Sequence, residues 1–186
     1  MGYYAKKKTP RYIERNEQER NEFIETVNSL PDDAEIYYAD ESGFDKHYSR
    51  DYGYSPRGER VYGEIYGTHF SRTSIIAALF CNVFVAAFAF KGFMNGDLFE
   101  GWLEQVFVPC LKNPEKSYLL IDNATHHRKD AIYKIAAEYG FSVIFIPKYS
   151  PDLNPIEIKW ANVKNRLRLH MSKFDNFYDA LKFAFE

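Results

Sequence analysis

The sequence predicts an α/β fold, a mixed sheet of about five strands with helices on both faces. Two observations carry that expectation. Aromatic and β-branched segments, among them Thr73–Phe80 and Val83–Phe90, follow one another like the strands of a meander. Beyond them strands and helices alternate, and strand–helix–strand units place helices over the faces of a sheet. The chain has 186 residues, 46% hydrophobic and 18% aromatic, enough for about one domain with a sizeable core.

Residues 1–13 are basic and aromatic, carry Pro10 and show no period, so they read as an arm. Residues 14 to about 30 form a polar helix with a narrow stripe, Phe23, Val27 and Leu30, broken by Pro31-Asp32-Asp33. The expected division is therefore 1–34 as basic arm and linker helix, and 35–186 as the main domain. Ile36 to Asp40 reads as a strand with Ile36, Tyr38 and Asp40 on one face and Glu41 on the other. Residues 42–60 read as a Gly-, Ser-, Arg- and Tyr-rich loop in which Tyr52 and Tyr54 offer stacking surfaces. Arg60–Tyr66, Thr73–Phe80 and Val83–Phe90 are strand candidates, the last two joined by a turn.

Asn95-Gly96-Asp97 starts a helix with an apolar stripe of Leu98, Trp102, Leu103, Val106, Phe107 and Cys110. Tyr118–Ile121 is a short buried strand. A helix from His127 to Tyr139 turns Ile132, Ile135, Ala136 and Tyr139 inward and ends at Gly140. Phe141–Ile146 is another apolar strand. The helix from Asn154 to about His170 buries Ile156, Trp160, Val163 and Leu167, and a further helix is expected over Asp179–Glu186.

Composition narrows the function. Cys81 and Cys110 lie in apolar segments and read as reduced core residues, without a disulfide framework. No secretory signal or membrane span is visible, so a cytoplasmic protein is expected. Net charge is only −2, but its distribution is uneven. Residues 14–41 hold ten acids against Arg15 and Arg20. Residues 148–173 hold six bases, Lys148, Lys159, Lys164, Arg166, Arg168 and Lys173, against Asp152 and Glu157. Such clustering of bases around an acid points to an anionic partner.

Three acids stand at the ends of predicted elements: Asp40, Asp122 after Tyr118-Leu119-Leu120-Ile121, and Glu157 at the start of a helix. Each has a bland reading. Asp40 is a solvated strand end, Asp122 caps a turn, and Glu157 completes a capping box on Asn154 with Pro155 at the first helical position. Taken together they read differently. If the strands ending near 40 and 121 are adjacent and parallel, both aspartates reach one sheet edge, and the helix from 154 brings Glu157 to it. Clustered carboxylates repel one another, and divalent cations relieve that repulsion. Two such ions about 4 Å apart serve in-line displacement at a phosphodiester.

His126 and His127 read either as polar first-turn residues or as groups supporting Asp122 or touching phosphate. No Cys or third His lies at zinc-ligand spacing, so no zinc site is expected. Lys164 and Arg168 follow Glu157 and Ala161 at helical spacing, opposite the Ile156/Trp160 stripe, and with Lys148 and Lys159 suggest a track for a phosphate backbone. Tyr149 is a candidate for base stacking. A glycosidase with paired carboxylates is the competing enzyme class, but a sugar cleft has no need of the basic track.

Tyr38-Ala39-Asp40-Glu41-Ser42-Gly43, Leu120-Ile121-Asp122-Asn123-Ala124-Thr125-His126-His127, and Pro147 through Glu157 followed by Trp160-Ala161 and Lys164 closely resemble the DDE domain of mariner-like transposases, in the bacterial insertion-sequence branch. The resemblance covers residues 36 to about 185, and the 34 residues between Asp122 and Glu157 match that superfamily. It implies a ribonuclease-H-like fold with Asp40, Asp122 and Glu157 as the metal-binding triad. It implies two Mg²⁺ ions per site, with Mn²⁺ able to substitute, cleavage at transposon ends, and attack of the 3′-hydroxyl on target DNA. Asn123, His127, Lys148, Tyr149, Asn154, Lys159, Lys164 and Arg168 are then expected around the metal or against DNA. The expected partners are double-stranded DNA and a second copy, in a nucleoid-associated protein.

Such transposases carry helix-turn-helix modules ahead of this domain, and nothing before residue 36 reads as such a pair. A separate helix-turn-helix chain is one expected partner, as for the downstream product of a split frame. The competing expectation is a decayed copy: a catalytically idle remnant that binds DNA or a partner transposase chain.

Overall fold

In a computed structural model, residues 12–44, 55–60, 62 and 72–186 are described. The arm over residues 1–11, the Tyr52/Tyr54 loop and most of the expected strand Arg60–Tyr66 lie outside them. Five strands form one mixed sheet: β1 (Glu35–Phe44), β2 (Thr73–Phe80), β3 (Val83–Lys91), β4 (Ser117–Ile121) and β5 (Ser142–Phe145). Their order is β3-β2-β1-β4-β5. The first three form the meander, antiparallel throughout, and β4 and β5 add in parallel on the other side of β1. Phe80 pairs with Val83, leaving Cys81 and Asn82 as a two-residue turn with φ of 46° and 68°. Positive φ at both positions suits a tight hairpin whose twist matches its strands. That turn exposes Cys81, and Cys110 is exposed as well, so neither is the core residue expected.

Helices α1 (Glu17–Asn28), α2 (Gly96–Trp102), α3 (Lys129–Tyr139), α4 (Ile156–His170) and α5 (Phe177–Phe185) cover both faces. On one face Tyr37, Ala39, Ile76, Leu119 and Ile121 pack against Phe99, Trp102, Leu103 and Phe107 and against Ile132, Ile135 and Ala136 of α3. On the other, Ile75, Ala77 and Leu79 meet the stripe Ile156, Trp160, Val163 and Leu167 of α4 together with Phe177, Ala180 and Leu181 of α5. The alternation in β1 and β2 sends successive residues to opposite cores.

The expected stripe of the second helix holds only in part. After α2 the chain widens into a π-helical turn, Leu103–Phe107, then tightens over Val108–Cys110. The extra residue in the wide turn rotates the residues after it, so Phe99, Trp102, Leu103 and Phe107 are buried, Leu98 is half-buried and Cys110 faces out. Likewise α3 starts at Lys129, not at His127, and Tyr139 is exposed in its last turn.

The first helix belongs to this body. Asn16 caps it, its Oδ1 accepting from the amides of Gln18 and Glu19. Phe23 packs on Leu120 and Ile146, and the Arg20 guanidinium, side chain 7% exposed, donates to both oxygens of Asp152 at 3.0 and 2.7 Å. That bidentate pair ties α1 to the loop that leads into α4. No helix among the described residues is long and apolar enough to cross a membrane.

Candidate active site

A parallel register assembles the site. Ala39 of β1 pairs with Ile121 of β4, so the next residue on each chain is an aspartate, Asp40 or Asp122. The strand does not end at Asp40 as expected; it runs on to Phe44 because β2 continues to pair with it, Asp40 opposite Ala77. Asp40 is thus held inside a strand and Asp122 sits just beyond one. Glu157 comes from the first turn of α4, and all three carboxylates line one cleft of about 430 Å³. Asn123, Lys148, Tyr149 and Asn154 line the same cleft, as does Tyr12.

The capping-box role for Glu157 is not what the geometry provides. The helix begins one residue later than expected, at Ile156, with Pro155 at the cap position. The Asn154 amide donates instead to the Pro151 carbonyl at 3.0 Å, closing a short 3₁₀ turn over Pro151–Leu153. Asn154 itself is 4% exposed, and its Oδ1 has no hydrogen-bond partner. Tyr149 holds φ at +58°, a left-handed conformation rare for an aromatic residue, and stacks obliquely on Tyr12 at 5.7 Å. Strain of this kind gathers at sites where the surrounding structure fixes a loop for a task.

The two neighbouring aspartates have opposite electrostatics. Burial, then the charges of Glu157, Glu41 and Asp122, push the Asp40 carboxyl up to about 8. Partial burial and the charge of Asp122 raise Glu157, with Lys164 opposing. Burial works the same way on Asp122, but there it is outweighed by the hydrogen bond and charge of His127, the Ala124 amide and His126, and its carboxyl falls below the usual range. His127 Nε2 lies 3.0 Å from Asp122 Oδ1, and the Ala124 amide donates to the same oxygen at 3.3 Å. An oxygen-only cluster in which one acid is driven to protonate fits a hard divalent cation, whose charge would replace that proton.

His127 precedes α3 as a buried residue, 8% exposed, packed on Phe99 at 4.2 Å and on His126 at 4.3 Å. It is not the polar first-turn residue that sequence permits. His126 Nε2 stands 3.1 Å from Glu41 Oε1 on the far face of β1. Arg128 pairs with Glu100 at 2.6 Å and with Asp97, pinning the same loop to α2. The Glu41–His126 and Arg20–Asp152 pairings are the contacts that sequence reasoning did not place. Glu41 was legible as the residue facing away from Asp40; nothing in the spacing pointed to its partner 85 residues on.

The expected basic track divides. Lys164 is half-buried, feels the charges of Glu157 and Asp40, and stands over the Phe44 ring at 5.7 Å; burial lowers its pKa, and Arg168 lies near enough to lower it further. Lys159 is not part of this site. It points to a separate groove with Asn162 and Arg166, because it lies about 200° around the helix from Glu157.

A family model described as DDE superfamily endonuclease matches residues 35–179. No curated protein sequence matches the chain. Among solved structures, the Mos1 transposase paired-end complex with the left transposon end matches at TM-score 0.70 and 18% identity, over 98% of this chain and 58% of that one. The Mos1 mariner paired-end complex with Mn matches at TM-score 0.70 and 19% identity, with the same coverage. The HTLV-2 integrase catalytic core in complex with magnesium matches at TM-score 0.51 and 11% identity, over 84% of each chain. The shared fold is ribonuclease-H-like, and the chain spans less than two thirds of the length of the transposase chains it matches.

Proposed function

The chain belongs to the DDE superfamily of endonucleases, and from that premise we propose that it is the catalytic domain of a mariner-like transposase, which cuts transposon ends and joins the freed 3′-hydroxyl to target DNA. One observation carries the reading: the β1–β4 register that sets Asp40 beside Asp122 at the cleft Glu157 also lines. Asp40, Asp122 and Glu157 would hold two Mg²⁺ ions, or Mn²⁺ in their place. When bound, such ions activate the attacking water or 3′-hydroxyl and stabilise the leaving oxygen.

The chain's own residues supply the rest. His127 and the Ala124 amide hold one oxygen of Asp122 and keep the carboxylate ionised. Lys164 offsets charge at Glu157. Lys148 and Tyr149 line the cleft where a DNA backbone would enter, with Asn123 and Asn154 as polar groups along its wall. Arg168 continues the positive charge along α4 for phosphate contact. In the first step water attacks phosphorus and the bond to the 3′-oxygen breaks; in the second that 3′-hydroxyl loses its proton and attacks a target phosphorus in line, and the target strand's own 3′-oxygen leaves and is protonated.

The proposal includes double-stranded DNA as substrate, a second copy on DNA, recognition of transposon ends by helix-turn-helix modules on this or a separate chain, and a cytoplasmic, nucleoid-associated location. Nicking of supercoiled plasmid in Mg²⁺ or Mn²⁺ tests it. Metal-dependent nicking that disappears in Asp122→Asn and in Glu157→Gln supports the triad. A folded wild type that binds DNA but never nicks would leave the idle remnant as the better reading.

A further inference from the structure

Behind Asp122, on the face of β1 opposite Asp40, three side chains converge whose remaining donor atoms the proposed strand-transfer chemistry does not use. We infer that Glu41, His126 and His127 form a second cation site, suited to a borderline-soft divalent ion of the Zn²⁺ or Co²⁺ class. One ligand atom from each of the three lies within 4.8 Å of the other two. His126 Nε2 and Glu41 Oε1 are 3.1 Å apart, near the roughly 3.3 Å that separates two ligands of one tetrahedral ion at about 2.0 Å.

The state of His127 points the same way. Its side chain is 2% exposed, and its Nε2–H is committed to Asp122. Its Nδ1 has no hydrogen-bond partner and is left as an unsatisfied buried polar atom. A cation–imidazole–carboxylate chain is how proteins orient a histidine ligand and raise its basicity, and with Asp122 on Nε2, Nδ1 is the nitrogen that would bind the ion. The donor set separates this site from the cleft. Two imidazoles and a carboxylate favour transition ions, whereas the oxygen-only cleft favours Mg²⁺. A bound ion here would fix His127 and, through it, the orientation of Asp122.

Cobalt titration of the full chain, followed by visible absorption, tests the site apart from any nuclease assay. Wild type is expected to take up one Co²⁺ with the intense bands of a four- or five-coordinate ion, displaced by Zn²⁺. Glu41→Gln and His126→Ala should each lose those bands and weaken Zn²⁺ binding by more than the roughly 10–100-fold that loss of an outer-shell partner costs. Asp40→Asn combined with Glu157→Gln should keep them. Glu41 and His126 keep 19% and 29% of their side-chain surface exposed, so both variants are expected to fold, and far-ultraviolet circular dichroism checks this. No intense bands in folded wild type would overturn the inference. So would bands that survive both Glu41→Gln and His126→Ala, or that vanish with the cleft acids. The outcome is independent of nicking, so failure of the nuclease reading leaves it standing.

Discussion

Asp40 and Glu41 are neighbours in sequence, yet β1 delivers them to different chemistries. Asp40 faces a cleft of other carboxylates, where burial and like charge drive it to about 8. Glu41 faces two histidines; burial raises it too, but His127 pulls in the opposite direction. The same contrast recurs between Asp40 and Asp122 across the β1–β4 register, and there the histidine wins outright. For Asp122 the hydrogen-bonded histidine outweighs burial, whereas for Asp40 burial and like charge stand unopposed by any such neighbour.

The largest test removes the uncompensated acid. Asp40→Asn keeps the shape and deletes one oxygen ligand, and metal-dependent plasmid nicking is expected to fall by roughly 10³-fold or more, as loss of several kcal/mol of transition-state stabilisation implies. Unchanged nicking would break the contrast at its root. Next comes the compensating residue. His127→Ala frees the Asp122 carboxylate and removes a ring packed on Phe99, and nicking should fall about 10–100-fold. If the role is orientation, the loss should lie in kcat more than in KM.

A third test reads the contrast as stability. Asp40 binds its proton more tightly folded than unfolded, so its contribution is fully present below pH about 4 and is lost as pH rises through about 8. Metal-free protein should therefore weaken across that window. Asp40→Asn should be more stable than wild type at pH 8, on the order of 1–3 kcal/mol by urea denaturation, and added Mg²⁺ should narrow the gap. A variant less stable than wild type at pH 8 would mean that the acid is compensated after all. The smallest effect concerns α4. Lys164→Ala should weaken DNA binding several-fold and lower the salt slope by about 1, while Lys159→Ala, on the other side of the helix, should leave both unchanged.

Much of this was legible in the chain. The Ile156, Trp160, Val163, Leu167 stripe lies buried where helical spacing put it, and alternation along Ile36–Glu41 separated Asp40 from Glu41. The unread parts depend on partners remote in sequence. Strand β1 outruns its apolar segment because β2 pairs with it, which local composition does not encode. The π-helical turn after Trp102 leaves no mark in a 3.6-residue pattern, so Cys110 was misplaced. Local spacing likewise gives no sign that Glu41 meets His126, 85 residues on. The Arg20–Asp152 pair spans 132 residues, and nothing in an acidic helix announces it.

That last pair has a practical consequence. The family match begins at residue 35, and a fragment cut there would look like a complete unit. It would strip Phe23 from Leu120 and Ile146, leave Asp152 without its guanidinium, and remove Tyr12 from beside Tyr149. Evolutionary bookkeeping and mechanical integrity draw the edge of this domain in different places, and a biochemist trimming the chain for crystals or assays should follow the second.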